Sequence, residues 1–149
     1  MQIEQIREAT AEYVAALARL VPQLSTSVAP PTPEEVAGMV TSPAIVQLIA
    51  RDPERGGQIV GTLTLAIFRI PTGLRAWIED VIVDNESRGR GIGEALVRAA
   101  LEKAREAGAR TVDLTSRPSR EAANRLYGRV GFARRETNIY RYDLDQRAL

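Results

Sequence analysis

The chain of 149 residues contains no cysteine and no histidine, and only one of its 20 basic residues, Lys103, is a lysine. The absence of cysteine excludes disulfides, thiolate zinc sites and a cysteine nucleophile. The absence of histidine excludes a Ser-His-Asp triad, imidazole metal ligands and the side chain that normally titrates near neutral pH. Any proton transfer must therefore use a carboxylate, a tyrosine, the single lysine or water.

The sequence also lacks an apolar run long enough to span a bilayer. Its first ten residues, MQIEQIREAT, have neither the basic segment nor the apolar segment of a signal peptide. With 44% hydrophobic and 26% charged residues, the composition is that of an ordinary soluble protein. We expect one domain over residues 1–149, a cytoplasmic location and no membrane partner.

The net charge of +1 conceals a difference between two parts of the chain. Residues 1–87 carry 6 Lys and Arg against 11 Asp and Glu, whereas residues 88–149 carry 14 against 8. Arginine enrichment in the second part favours an anionic partner that bears phosphate. The alternative is an arginine-rich composition with solvated side chains. Nucleic acid is a weaker candidate, because acidic residues are interspersed and no nucleic-acid-binding motif is present.

Hydrophobic periodicity predicts an antiparallel meander followed by alternating helices and strands. The predicted strands cover 2–7, 44–51, 58–70, 76–83, 111–115 and a last segment within 133–144, where Tyr140 and Tyr142 are expected in the sheet core or at its edge. The predicted helices run from a Thr10 cap to about residue 21, from Pro33 past residue 40, over 91–107, and from a Ser119 cap to residue 129. This order predicts an α/β (mixed α+β) fold, with one mixed sheet and helices on both faces.

Residues 81–93, V-I-V-D-N-E-S-R-G-R-G-I-G, form the most specific local pattern. A buried strand ends, and a glycine-rich turn opens an amphipathic helix. Glycines at 89, 91 and 93 allow close approach of a ligand to backbone N–H groups, and the helix N-terminus adds partial positive charge. Arg88 and Arg90 can add side-chain charge. The turn therefore predicts a diphosphate site, although it lacks the Lys-Ser/Thr of a P-loop and the spacing of a dinucleotide fingerprint.

Three segments in order resemble the GNAT superfamily of acyl-CoA N-acyltransferases. R-G-R-G-I-G at 88–93 resembles the (Q/R)-x-x-G-x-(G/A) signature, I-E-D-V-I-V at 78–83 resembles the fourth strand, and A-A-N-R-L-Y-G-R-V-G-F at 122–132 resembles the Asn…Tyr…Gly-Phe segment. The resemblance covers roughly residues 58–142. It implies a single GNAT-like domain with a central, mostly antiparallel mixed sheet of six to seven strands and about four helices.

The resemblance also implies acetyl-CoA as the acyl donor. Main-chain groups of 81–83 would lie beside the pantetheine, and the turn over 88–94 would wrap the diphosphate. The cofactor-binding residues implied in this way are Val81, Ile82, Val83, Arg88, Gly89, Arg90, Gly91, Ile92, Gly93, Glu94 and Asn124. For the strand residues, a plain core role is compatible with binding, because the implied contacts are made by the backbone.

Tyr127 resembles the family's general acid, which protonates the departing thiolate. Its helical spacing puts it on one face with Asn124; the alternative is a packed tyrosine. Glu79 resembles a carboxylate proposed as the base in some relatives, and the alternatives are a structural or substrate-holding carboxylate or a base nearer Trp77. Strand alternation predicts one face with Trp77, Glu79, Val81 and Val83 and another with Ile78, Asp80 and Ile82. Asp80 is expected to be structural.

These observations together predict an N-acetyltransferase. Because no cysteine or triad is available for a covalent intermediate, direct attack of a primary amine in a ternary complex is expected, without a metal. The acceptor, a small molecule or a protein amine, is not specified by the sequence, and a homodimer is compatible with it. The competing hypotheses are a catalytically inactive acyl-CoA-binding regulatory module and, less favoured, a nucleic-acid-binding module.

Overall fold

The computed structural model describes residues 1–145, which form one five-stranded sheet and four α-helices. The strands are β1 (Gln2–Ile6), β2 (Ile45–Asp52), β3 (Gln58–Ile70), β4 (Gly73–Val83) and β5 (Thr111–Asp113). The helices are α1 (Ala11–Leu24), α2 (Pro33–Thr41), α3 (Ile92–Ala107) and α4 (Glu121–Val130). None of these helices combines the length and apolar composition that a bilayer crossing requires.

The sheet has the strand order β1-β2-β3-β4-β5, so every strand pairs with its neighbours in the chain. The first four strands are antiparallel, and β5 runs parallel to β4 after the α3 crossover. The pairing of β4 with β5 is short, from Arg75↔Thr111 to Trp77↔Asp113. Beyond Trp77, no strand of the described chain lies against that side of β4.

Two apolar clusters fill the space between the sheet and its helices. One packs the buried side of α3 against β2, β3 and β4, with residues of α4 at its margin. The other packs α1 and α2 against the opposite face of the sheet. Residues such as Leu96 and Leu20 are fully buried in these clusters, and each buried leucine contributes about 1.5–3 kcal/mol.

The helix ends follow local chemistry. Thr10 caps α1 by accepting a hydrogen bond from the Tyr13 N–H, as predicted. Thr32 and Glu35 form a reciprocal capping box at the start of α2. The predicted cap at Ser119 is wrong, because α4 begins at Glu121 and Arg120 occupies the N-cap position. Ser119 therefore lies one residue too early to reach the N–H groups of the first turn.

A β-bulge in β4 changes which residues share a face. Thr62 of β3 pairs with Ile82 and Thr64 pairs with Glu79, so one residue of β3 faces two of β4, Asp80 and Val81. Asp80 has a φ of +47°. The bulge reverses the alternation, so Ile82 packs with α1 and α2 whereas Val81 packs toward α3. The predicted single face shared by Trp77, Glu79, Val81 and Val83 is therefore wrong.

The last predicted strand is also absent from the described part of the chain, where residues 132–145 have no regular structure. Tyr140 and Tyr142 are 88% and 87% exposed, which contradicts their expected place in the sheet. Without a ladder of backbone hydrogen bonds to a neighbouring strand, the alternation of Tyr140, Tyr142 and Leu144 does not by itself make a strand. The sheet consequently has five strands instead of the expected six to seven.

A buried polar network joins α1 to the centre of the sheet. The Tyr13 hydroxyl lies 3.0 Å from Thr62 Oγ1, which also accepts from Gln47 Nε2 at 3.1 Å and donates to the Leu48 carbonyl at 3.0 Å. Because the Thr62 proton goes to that carbonyl, the Tyr13 hydroxyl is the donor to Thr62. Burial raises the pKa of Tyr13 to about 12. The network fixes α1 over the part of β3 that faces the bulge.

Candidate functional site

The turn between β4 and α3 presents backbone donors to open space. Gly89 and Gly91 have φ values of +77° and +78°, in the region that L side chains rarely adopt. A Cβ at either position would meet no atom within 4 Å. In residues 1–145, no acceptor takes a hydrogen bond from the N–H groups of residues 88–94. This arrangement fits a diphosphate at the start of α3.

The two arginines of the turn have different surroundings. Arg90 Nη1 donates to Asp52 Oδ2 at 2.5 Å, and Arg90 Nη2 donates to Glu54 Oε2 at 2.9 Å. The Arg90 guanidinium holds the pKa of the Asp52 carboxyl below its usual range. The Arg90 side chain therefore connects the turn to the loop after β2. Arg88 is exposed and makes no ion pair within the described residues, so its charge is available to a ligand.

The side chains that follow in α3 belong to the packing of the helix. Ile92 is buried, and a Cβ at Gly93 would lie 3.2 Å from Leu126 Cδ1 of α4. The Glu94 carboxylate accepts from Arg98 at 2.8 Å and from Arg129 at 3.5 Å. Its hydrogen bond with Arg98 is the main cause of the lowered pKa of Glu94. These residues can therefore offer a ligand their main-chain N–H groups.

The divergence of β4 from β5 opens a cavity of about 120 Å³ at the end of β4 that leads into this turn. Its walls come from β4, from the end of β5, from α4 and from the last residue of α1. The lining residues are Leu24, Ile78, Glu79, Asp80, Val81, Leu114, Thr115, Arg120 and Tyr127. The bulge turns the Val81 side chain into this cavity side of the sheet and the Ile82 side chain away from it. The structure thus brings Glu79, Val81 and Tyr127 together.

Glu79 presents an exposed carboxylate whose position is fixed by a neighbouring indole. Trp77 Nε1 donates to Glu79 Oε1 at 2.8 Å. The two residues are adjacent on one face of β4, before the bulge reverses the alternation. Asp80, which the sequence suggested was structural, is exposed and also lines the cavity. Both acidic residues therefore contribute to the wall of the cavity.

Tyr127 is half-buried on α4, with its ring edge-on to Phe132 at a centroid distance of 5.8 Å. Its hydroxyl has no hydrogen-bond partner in the part of the chain that is described. Burial raises the pKa of Tyr127, and the charge of Arg120 partly offsets that rise. Asn124, predicted to share this site, instead donates from Nδ2 to the Arg117 carbonyl at 3.0 Å and closes the loop before α4.

The sequence gives no signal for Asp52, and it predicts for Arg120, as for Arg117 and Arg125, a solvated face or a contact with CoA phosphates. Arg120 precedes Tyr127 by seven residues, or two helical turns, and that spacing could have placed both on one face. Asp52 gave no comparable signal, because its contact with Arg90 joins two loops that are 38 residues apart. The adjacent acids Glu79 and Asp80 interrupt an apolar strand, which is a signal for the bulge.

Comparison with known proteins agrees with this architecture. The model of the acetyltransferase (GNAT) family matches residues 23–132. The chain is 35% identical over 89 residues to N-alpha-acetyltransferase MAK3 of Arabidopsis thaliana, covering 60% of this chain and 46% of that protein. An acetyltransferase structure from Trypanosoma brucei is 28% identical with a TM-score of 0.77, covering 96% of this chain and 99% of the other.

The glucosamine-6-phosphate N-acetyltransferase of Arabidopsis thaliana has the same fold, with a TM-score of 0.79 at 22% identity over 97% of this chain and 98% of the other. The chain spans less than half the length of the first curated relatives that it matches. The family match nevertheless covers most of the sequence, including the turn, β4 and α4. The chain belongs to the acetyltransferase (GNAT) family.

Proposed function

We propose that this chain transfers an acetyl group from acetyl-CoA to a primary amine. The observation that carries the proposal is the cavity between β4 and β5, which Glu79 and Tyr127 line at the end of the strand that leads into a turn with free N–H groups. Membership of the acetyltransferase family supports the same reaction. The lack of cysteine argues for direct transfer, since no thiol can carry the acetyl group.

The donor would lie along the turn and the exposed edge of β4. The N–H groups of residues 88–94 and the Arg88 side chain would hold the diphosphate, and main-chain groups of residues 81–83 would hold the pantetheine. A backbone N–H of β4 directed at the thioester carbonyl would stabilise the oxyanion that forms during attack. Gly93 has a packing function that is compatible with this role, because it lets α3 and α4 approach closely.

In the chemical step, the amine nitrogen attacks the thioester carbon and forms the C–N bond. The C–S bond breaks, and its electron pair goes to the sulfur. Tyr127 donates a proton or a hydrogen bond to that sulfur, and the nitrogen loses its proton to Glu79 directly or through water. The products are an amide and the CoA thiol, and solvent restores both side chains.

The tyrosine is a workable donor although its acidity does not match that of a thiol. A tyrosine pKa of about 10 and a thiol pKa of about 8.5 differ by roughly 1.5 units, or about 2 kcal/mol. Burial raises the pKa of Tyr127 and widens this gap. The same burial keeps the hydroxyl protonated, and a hydrogen bond already stabilises the leaving sulfur before a proton is transferred.

We propose that a cationic acceptor is preferred to an anionic one. Glu79 and Asp80 are both exposed and line the cavity, so a protonated amine is attracted to the position where it must lose its proton. Polyamines, lysine side chains and protein N-termini fit this description. Faster turnover of acidic amino acids than of polyamines would reverse the preference.

The test is acetyl-CoA turnover with a panel of amines, followed by the release of free thiol. Because the chain has no cysteine, a thiol-reactive dye reports only the CoA that is released. We expect amine-dependent release and, for Glu79→Gln, a lower kcat with little change in the KM for acetyl-CoA. Tight acetyl-CoA binding without turnover of any amine would support the regulatory-module alternative. No binding of acetyl-CoA would refute the proposal.

A further inference from the structure

Among residues 1–145, Arg120 is the one cation that lines the cavity, and the proposed function gives it no role. It occupies the N-cap position of α4 and shares the cavity wall with Tyr127. The guanidinium groups of Arg90 and Arg129, by contrast, are held by carboxylates. Arg120 makes no ion pair within residues 1–145, so its charge is not neutralised by the protein.

The charge balance of the cavity makes this cation significant. Within the described chain, four titratable residues contribute to the cavity wall: Glu79 and Asp80 from β4, and Arg120 and Tyr127 from α4. The residues that line it from α1 and from the segment after β5, Leu24, Leu114 and Thr115, do not titrate. Two carboxylates oppose the formation of negative charge in the cavity, and one guanidinium favours it.

The Arg120 charge already acts at the oxygen of Tyr127, where it lowers the pKa against the effect of burial. In the proposed reaction, negative charge develops on the sulfur when the C–S bond breaks, next to the same hydroxyl. The cation is therefore in place to act on the leaving group. A hydrogen bond from Tyr127 leaves part of the negative charge on the sulfur until a proton is transferred, and a nearby cation would stabilise that remaining charge.

We infer that Arg120 is a catalytic residue that stabilises the departing CoA thiolate, in addition to the proton or hydrogen bond from Tyr127. This inference rests on the proposed function. It separates the roles of the two charged sides of the cavity: the β4 carboxylates act on the amine, and the α4 guanidinium acts on the sulfur. An arginine that only held a CoA phosphate would change donor affinity and leave the acidity of the thiol unaltered.

The test is the pKa of the thiol of CoA bound to the full chain, followed by the ultraviolet absorbance of the thiolate. The chain contributes no thiol, and subtraction of the complex with desulfo-CoA removes the tyrosine signal. The variants are Arg120→Gln, Arg120→Lys as the conservative rescue, and Arg125→Gln as the control on an exposed face of α4. Donor affinity is measured by calorimetry, and kcat and KM are measured by thiol release.

We expect Arg120→Gln to raise the pKa of the bound thiol by about 1–3 units, the usual effect of losing an opposite charge at close range. Its kcat should fall about 10²–10³-fold, as for the loss of a preorganised donor, with a smaller change in KM. Arg120→Lys should restore much of both, and Arg125→Gln should behave like the wild type.

Two results would overturn the inference while leaving the proposed function in place. An unchanged thiol pKa in Arg120→Gln, with CoA still bound, removes Arg120 from the chemical step and leaves acetyl transfer intact. A loss confined to KM and donor affinity assigns Arg120 to phosphate binding. Failure of the wild type to bind CoA at all refutes the proposed function itself, and the inference falls with it.

Discussion

Substitution of Tyr127 by phenylalanine tests the leaving-group chemistry most directly. The phenol hydroxyl lies at a cavity wall without a protein hydrogen-bond partner in residues 1–145, so its removal breaks no bond within the described fold. The ring keeps its edge-on contact with Phe132. We therefore expect the free energy of unfolding to change by no more than about 0.5 kcal/mol.

The catalytic effect should be much larger than the effect on stability. A positioned acid contributes roughly 10²–10⁴-fold in rate, and at 1.36 kcal/mol per factor of ten this is about 2.7–5.4 kcal/mol of transition-state stabilisation. The loss should appear in kcat, with the KM for acetyl-CoA nearly unchanged, because the hydroxyl acts only when the C–S bond breaks.

The assay is steady-state thiol release across a range of pH, with urea unfolding as the stability control. Tyr142→Phe, which alters a side chain that is 87% exposed, is the matched variant and should behave like the wild type. Because burial raises the pKa of Tyr127 above its ordinary value of 10.0, the wild type should show no loss of this acid below about pH 10. A fully active Tyr127→Phe would show that water or substrate supplies the proton and that Tyr127 is a packing residue.

Three further predictions concern the turn, the sheet and the buried network. Gly91→Asp should weaken acetyl-CoA binding strongly. Gly108→Asp is the control, because Gly108 has a similar φ of +86° and is equally open, and it should leave the affinity unchanged. Equal affinities of the two variants in calorimetry would exclude the turn as the donor site. Gly61→Ala should lower the free energy of unfolding by about 1–3 kcal/mol, because its Cβ would lie 3.2 Å from a β4 carbonyl and 3.1 Å from an α3 side chain. Gly38→Ala, where a Cβ meets no atom within 4 Å, should instead stabilise α2. Chemical denaturation measures both changes, and a Gly61→Ala variant as stable as the wild type would contradict the close packing at Gly61. The free energy of unfolding of the wild type, measured relative to that of Tyr13→Phe, should fall between pH 10 and 12 by up to about 1.4 kcal/mol per pH unit. The reason is that the pKa of Tyr13 is about 12 in the folded protein, so the tyrosine of the unfolded chain ionises first. A difference that stays constant with pH would contradict the burial of Tyr13.

The sequence was sufficient for features that depend on local chemistry. Strand β3 was predicted with its observed bounds, and the Thr10 cap and the glycine ends of α3 and α4 were also predicted correctly. Each of these rests on periodicity or on a capping preference within a few residues. The predicted end of α1 lies near residue 21, but the helix continues to Leu24, with Pro22 inside its last turn.

Features that depend on distant partners were not predictable in the same way. The alternation of Tyr140, Tyr142 and Leu144 has strand character, but a strand also needs a neighbour with matching hydrogen bonds. Asn124 resembles a ligand-binding residue by motif, yet its amide is used by a carbonyl seven residues earlier. The contact of Arg90 with Asp52 depends on how two separate loops meet, which no local pattern records.

The bulge at Asp80 makes the number of residues in β4 as important as their identity. Ile78 and Ile82 reach opposite layers of the protein only because one extra residue between them shifts the phase of the strand. Deletion of that residue would restore regular alternation and exchange the two layers for every side chain that follows in the strand. Point substitutions in this segment therefore test individual contacts, whereas a one-residue deletion or insertion would rearrange the core and the cavity together. This part of the sequence therefore specifies which face of the sheet each side chain occupies, in addition to which side chains are present.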